Sequence, residues 1–110
     1  MTNIAQVLFN RARSHPQLTA VSYGSQSISF AELGHRARQL AGALHTRARL
    51  NAGDRVVLCM ENRPEFFELL FACWTAGLCA VPVNAKLHPR EVSHIVTDSG
   101  ARAQIGRAHV

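Results

Sequence analysis

Two short apolar runs, Val-Val-Leu-Cys-Met at 56–60 and Cys-Ala-Val-Pro-Val at 79–83, bracket a stretch patterned as a helix. The first run does not alternate with polar residues, so a strand over 55–60 has to bury both of its faces. Such a strand belongs inside a parallel sheet with helices on either side. Parallel neighbours need a crossover long enough to hold a helix, and that crossover is almost always right-handed. The intervening segment supplies one. Asn62 is placed to cap it, Pro64 suits its first turn, and Gly77 suits its stop. Phe66, Leu69, Leu70, Cys73 and Trp74 form the stripe expected to be buried, with Glu65, Glu68 and Thr75 on the opposite face. A second buried strand over 79–83 then lies parallel to the first.

The pattern continues in both directions. After Asn84, Leu87-His88-Pro89-Arg90-Glu91 opens a further helix with Val92, Ile95 and Val96 inward and Gly100 at its end. Ala101 to Gln104 then reads as the start of a third strand. Upstream, Thr2 can cap a first helix whose apolar positions are Ile4, Val7, Leu8 and Ala12, and His15-Pro16 closes it. Thr19–Tyr23 and Ser27–Phe30, separated by Gly24-Ser25-Gln26, give a hairpin signal. Ser29 and Glu32 have capping-box spacing, which predicts a second helix from about Phe30 with Leu33, Ala37, Leu40, Ala41 and Leu44 on one face. The expected fold is therefore α/β: an N-terminal helix and β-hairpin, then a βαβα unit of an incomplete, largely parallel sheet.

Composition excludes several function classes. The chain carries a net charge of +5 from 12 Lys+Arg against 7 Asp+Glu, which would suit an acidic partner if the charges clustered. Instead the arginines stand singly or in alternation, as at Arg11/Arg13, Arg36/Arg38 and Arg47/Arg49, and no basic run is interleaved with aromatics. Nucleic acid is not an expected partner. Cys59, Cys73 and Cys79 are odd in number and lie in apolar surroundings with no metal-ligand spacing, so they read as small core residues of a reducing, cytoplasmic protein. The six histidines show no paired ligand spacing either. The longest apolar stretch, 69–83, is too short to span a bilayer and contains Gly77 and Pro82. The N-terminus lacks the uninterrupted apolar segment of a secretory signal.

Several short motifs follow one another along the chain: Ser29-Phe30-Ala31-Glu32-Leu33, Gly53-Asp54-Arg55-Val56, Asn62-Arg63-Pro64-Glu65, Ala76-Gly77 leading to Val81-Pro82-Val83-Asn84, and Glu91 with Asp98-Ser99-Gly100. Taken together they resemble the start of the adenylate-forming, AMP-binding superfamily, which includes acyl-CoA synthetases, aryl-CoA ligases and the adenylation domains of peptide synthetases. The resemblance runs from about Ile4 to Ala103. Each motif also has a purely structural role, as cap, turn or helix stop.

The resemblance implies a parent enzyme in which a carboxylate attacks the α-phosphate of ATP, giving an acyl-adenylate that a CoA thiol then resolves. It implies ATP, CoA and Mg²⁺ for that parent, with a small carboxylic acid, fatty or aromatic, as substrate. The family's phosphate loop, ribose-binding Asp and mobile Lys match no position in this sequence. There is no G-x-x-x-x-G-K-[ST] and no G-x-G-x-x-G, and the one lysine, Lys86, reads as a solvated loop residue. Ser22, Ser29, Ser93 and Ser99 lack the context of a nucleophile. No catalytic, cofactor-binding or metal-binding residue is therefore assigned, and residues 1–110 alone are expected to be inactive. Two other readings remain: a piece of an amino-acid adenylation domain, or a small non-catalytic α/β binding module. Residues 1–104 are expected to form the N-terminal part of the AMP-binding large domain. Residues 105–110, Ile-Gly-Arg-Ala-His-Val, are what a common sequencing adapter encodes and are expected to be a non-native tail.

Overall fold

The computed structural model describes residues 4–106. The chain runs α1 (Ala5–Ser14), β1 (Thr19–Tyr23), β2 (Gln26–Ser29), α2 (Phe30–Thr46), β3 (Arg55–Cys59), α3 (Pro64–Thr75), β4 (Cys79–Val83), α4 (Pro89–Ser99) and β5 (Ala103–Gly106). β1 and β2 form an antiparallel hairpin, and the other three strands form a parallel sheet in the order β4-β3-β5. The expected α/β architecture, including the parallel pairing of β3 with β4, is what the structure contains.

The strand order follows from handedness. A right-handed crossover from β3 to β4 places α3 on one face, and the return across β3 to β5 places α4 on the other. Alternate residues of β3 confirm the two faces. Val56 and Leu58 pack with Leu44, Phe66, Cys73 and Leu78 under α2 and α3. Val57 and Cys59 pack with Val92 of α4. The side chains of Val56, Val57, Leu58 and Cys59 are sealed from solvent, which explains why this run shows no polar alternation.

Local rules account for most boundaries. Ser29 and Glu32 make a full capping box: the Ser29 hydroxyl accepts from the Glu32 N–H at 3.1 Å, and the Ser29 N–H donates to Glu32 Oε1 at 3.3 Å. Gly77 (φ +76) and Gly100 (φ +67) take the left-handed conformation that ends α3 and α4. Gly53 N–H donates to Gly77 O at 2.9 Å, and Cys79 N–H to Asp54 O at 2.8 Å. Two motifs far apart in sequence thus meet at the lower end of the sheet. The Arg55 guanidinium donates through Nε to Ser99 O, satisfying a carbonyl at the C-terminus of α4.

Several expectations are corrected. Asn62 does not cap α3: the N-cap position is Arg63, with no side-chain bond, and Pro64 at N1 removes one donor that would need capping. Glu68 is not on a solvent face but 9% exposed, because α2 covers that side of α3 and brings Arg36 to it. Trp74, Leu69 and Leu70 are half-buried instead of sealed, while Phe66 and Cys73 are buried. In α1 the buried residues are Ala5 and Leu8, and Ile4 and Val7 stand in solvent. β4 is half-exposed because it has a neighbour on one edge alone among the described residues. The hairpin turn is Gly24-Ser25, since Gln26 joins β2 and Phe30 starts α2. The proposed cap Thr2 lies outside the described residues. Of residues 105–110, Ile105 and Gly106 sit in β5 opposite Leu58 and Cys59, and the rest lie outside the described residues.

Candidate functional site

The loop leaving β3 turns toward the α3 face, and the loop leaving β4 turns toward the α4 face. These two loops border a crevice at the carboxyl ends of β3 and β4. It measures about 570 Å³ and is lined by Met60, Glu61, Asn62, Phe66, Pro82, Val83, Asn84, Ala85 and Lys86.

Its walls are set by local bonds. Asn84 Oδ1 accepts from the Lys86 N–H at 2.8 Å, and Asn84 O accepts from the Leu87 N–H at 3.1 Å, which fixes the turn into α4. Arg63 N–H donates to Glu61 O at 2.8 Å on the opposite wall. Lys86, Glu61 and Asn62 are exposed, so the crevice offers one cation, one carboxylate and two amides. Beneath it, the buried Cys59 thiol lies 3.9 Å from Asn84 O, and burial pushes that thiol upward. A thiol held protonated is a poor nucleophile. The arrangement can hold a polar group, and it contains no nucleophile paired with a base. Asn62 and Asn84 stand in two separate sequence motifs yet line one crevice; their positions just after consecutive strands are the sequence signal for it.

The remaining reactive side chains are dispersed. Cys73 is buried in the core with its thiol pushed up to about 11 by desolvation. His88 caps α4 by accepting from the Arg90 N–H at 3.0 Å, and His94 lies 3.3 Å from Asp98 on the open face of the same helix. Among the described residues no group of three or more His, Cys, Asp or Glu is placed to hold a metal ion. No helix among the described residues is long and apolar enough to cross a membrane.

The strongest polar contact missed by sequence reading is structural. Arg36 of α2 donates to Glu68 Oε1 at 2.6 Å and lies 3.9 Å from Glu32. The bond to Glu68, then the charge of Glu68, holds the guanidinium above its ordinary pKa. The spacing of Arg36 and Glu68 across two helices gives no sequence signal.

The profile of the AMP-binding enzyme family matches residues 8–110. Feruloyl-CoA synthase of Amycolatopsis sp is 42% identical over 95 residues, covering 86% of this chain and 19% of that protein. The long-chain-fatty-acid–CoA ligase FadD13 of Mycobacterium tuberculosis is 36% identical over 107 residues, covering 96% of this chain and 21% of that protein. Among solved structures, the N-terminal domain of FACL13 from M. tuberculosis superposes with a TM-score of 0.88 at 36% identity, over 94% of this chain and 27% of that one. The N-terminal subdomain of Klebsiella oxytoca NpsA gives 0.89 at 24% identity, over 96% and 28%, a likeness of fold alone. The chain spans about a fifth of the length of the curated relatives it matches. On the family match over nearly all of its length, the chain belongs to the AMP-binding enzyme family.

Proposed function

We propose that these residues are the N-terminal scaffold of an ATP-dependent carboxylic acid–CoA ligase that works through an acyl-adenylate, and that residues 1–110 have no activity of their own. The observation that carries this reading is the agreement between relatives at 42% and 36% identity, both of whose names describe joining a carboxylic acid to CoA. The substrate class is a medium- or long-chain fatty acid or an aromatic acid, since feruloyl-CoA synthase and FadD13 bear those two names. ATP and CoA are the co-substrates, and the setting is a reducing cytoplasm.

The chain's own contribution is positional. It supplies the sealed strand β3, the two helical layers and the polar crevice at the ends of β3 and β4. Transfer of an adenylyl group needs several preorganised donors aimed at developing charge, and loss of one such donor can cost about 10²–10³ in rate. In this reading those donors come from elsewhere in the full-length protein, and residues 1–104 form the first part of the nucleotide-binding large domain while 105–110 are foreign to it.

A second reading has support of its own: transfer to a carrier-protein thiol instead of CoA. A fatty acid–[acyl-carrier-protein] ligase of Streptomyces coeruleorubidus is 33% identical over 102 residues. Mass spectrometry of products from the full-length protein, given ATP, Mg²⁺, a panel of fatty and aromatic acids and either CoA or a phosphopantetheinylated carrier protein, tests both. Acyl-CoA from at least one acid supports the proposal. Acylated carrier with no acyl-CoA favours the second reading, and no thioester or adenylate from any acid contradicts both.

A further inference from the structure

We propose that the groove between α1, β1, α2 and α3 binds a fatty carboxylate, with its tail among the apolar walls and its head group on Arg11. The proposal goes beyond the ligase reading and takes from it one point, that fatty acids reach the full-length protein.

The groove measures about 470 Å³, within the roughly 300–1,000 Å³ of small-molecule pockets. Ten residues line it, and eight of them are apolar. Leu8 and Leu33, each 2% exposed, are its most deeply buried lining and belong to a packed cluster with Val21, Phe30 and Phe71 against it. All ten residues stand on helices or on β1, so the hollow is held by rigid elements and exists before a ligand arrives. Such walls suit a hydrocarbon chain.

The polar end is defined as well. Arg11 and Ser22 are the two polar residues of the lining, and no carboxylate is among them. Arg11 follows the exposed Val7 by one helical turn, which puts a cation and an apolar side chain next to each other on α1. Its guanidinium carbon lies 6.0 Å from the Phe30 ring centroid, against the groove wall. Among the described residues Arg11 has no ion-pair partner. The nearest acid in sequence, Glu32, is engaged by Ser29 and Arg36. A guanidinium with no carboxylate of its own, set at the edge of an apolar hollow, matches an anion carried on a hydrocarbon tail. Its forked N–H groups fit the two oxygens of a carboxylate. The crevice beyond β3 and β4 differs here, because it holds Glu61 as well as Lys86.

The test is photolabelling of the full-length protein with dodecanoate carrying a diazirine near its methyl end, with labelled residues located by peptide mass spectrometry. The expected result is label in α1, β1 or α3, displaced about 3-fold better by dodecanoate than by dodecanol, as an exposed ion pair allows. Displacement should strengthen about 3-fold for each methylene added from octanoate to dodecanoate. In Arg11→Gln the preference for acid over alcohol should vanish. Val7→Glu, which sets a carboxylate at the groove mouth on an exposed position, should lower labelling by about 3-fold or more. Absence of label from these elements, a preference for acid that survives Arg11→Gln, or unchanged labelling of Val7→Glu overturns the proposal. A crystal structure of the full-length protein with another segment of its polypeptide, or a second copy, filling the groove overturns it too. Thioester formation on the same preparation separates the two readings: ligation without label in the groove sinks this site alone, and label in the groove without ligation sinks the proposed function alone.

Discussion

Around β3 every side chain from Val56 to Cys59 is sealed, whereas in and around the helix–hairpin unit of α1, β1 and β2 several apolar residues stand in solvent. Ile4 is 52% exposed, Val7 63%, Leu18 52% and Tyr23 46%. Both regions carry apolar side chains, those of β3 in an unbroken run and those of the helix–hairpin unit interspersed with polar ones. The difference is the number of layers: β3 has a helical layer on each face and a strand on each edge, while α1 packs one stripe of Ala5 and Leu8 beside α2. An apolar residue is buried when something lies on its side of the element. The groove left between α1, the hairpin and α3, lined by Val7, Val21, Phe67 and Phe71 among others, belongs to the one-sided region.

This contrast can be broken by substitution in the full-length protein. The largest loss belongs to the two-sided region: Leu58→Ala should lower unfolding stability by about 4 kcal/mol, because a sealed leucine leaves a cavity that packed neighbours fill poorly. Chemical denaturation measures it, and a loss under about 1 kcal/mol would mean that β3 is not the core. Next comes the contact joining the regions. Arg36→Ala strands the Glu68 carboxylate in a largely dry place and should cost about 2 kcal/mol. The figure stays below that of a fully buried pair because Arg36 is half-exposed and screened. Glu68→Gln should cost less, since the amide still accepts from Arg36, and the reverse ranking would place the burial on the wrong partner.

Much of this was legible in the residues themselves. The unbroken run at 56–60 predicts a strand with two covered faces, Ser29 and Glu32 predict the cap of α2, and Gly77 and Gly100 predict two helix ends, because each rule is local. What failed was tertiary. A helical pattern reports which residues share a face, not how many neighbours that face meets, so Glu68 reads as a solvent residue until α2 is laid against it. Trp74 and Val7 read as buried for the same reason. The site was less legible still: Asn62, Asn84 and Lys86 share a crevice because β3 and β4 pair side by side and end together, which no single stretch of sequence encodes.

Smaller effects sharpen the comparison. Ser29→Ala removes the hydroxyl that accepts from the Glu32 N–H and should cost about 1 kcal/mol. A null effect would show that packing of Phe30 and Leu33 fixes the start of α2 without its cap. Val7→Ser, on the exposed side of α1, should stay within about 0.5 kcal/mol. A larger loss in the full-length protein would mean that another part of that protein lies over α1, moving Val7 into the covered class.

In the proposed function this chain gives an acid–CoA ligase its scaffold and none of its chemistry. Pyrophosphate release with ATP, Mg²⁺, CoA and a fatty or aromatic acid tests it most directly, measured side by side for residues 1–110 and for the full-length protein. The account predicts release at background for residues 1–110 and acid-dependent release for the full-length protein. Turnover by residues 1–110 alone would contradict it and send the search for a catalytic group back to Lys86, the arginines and the histidines.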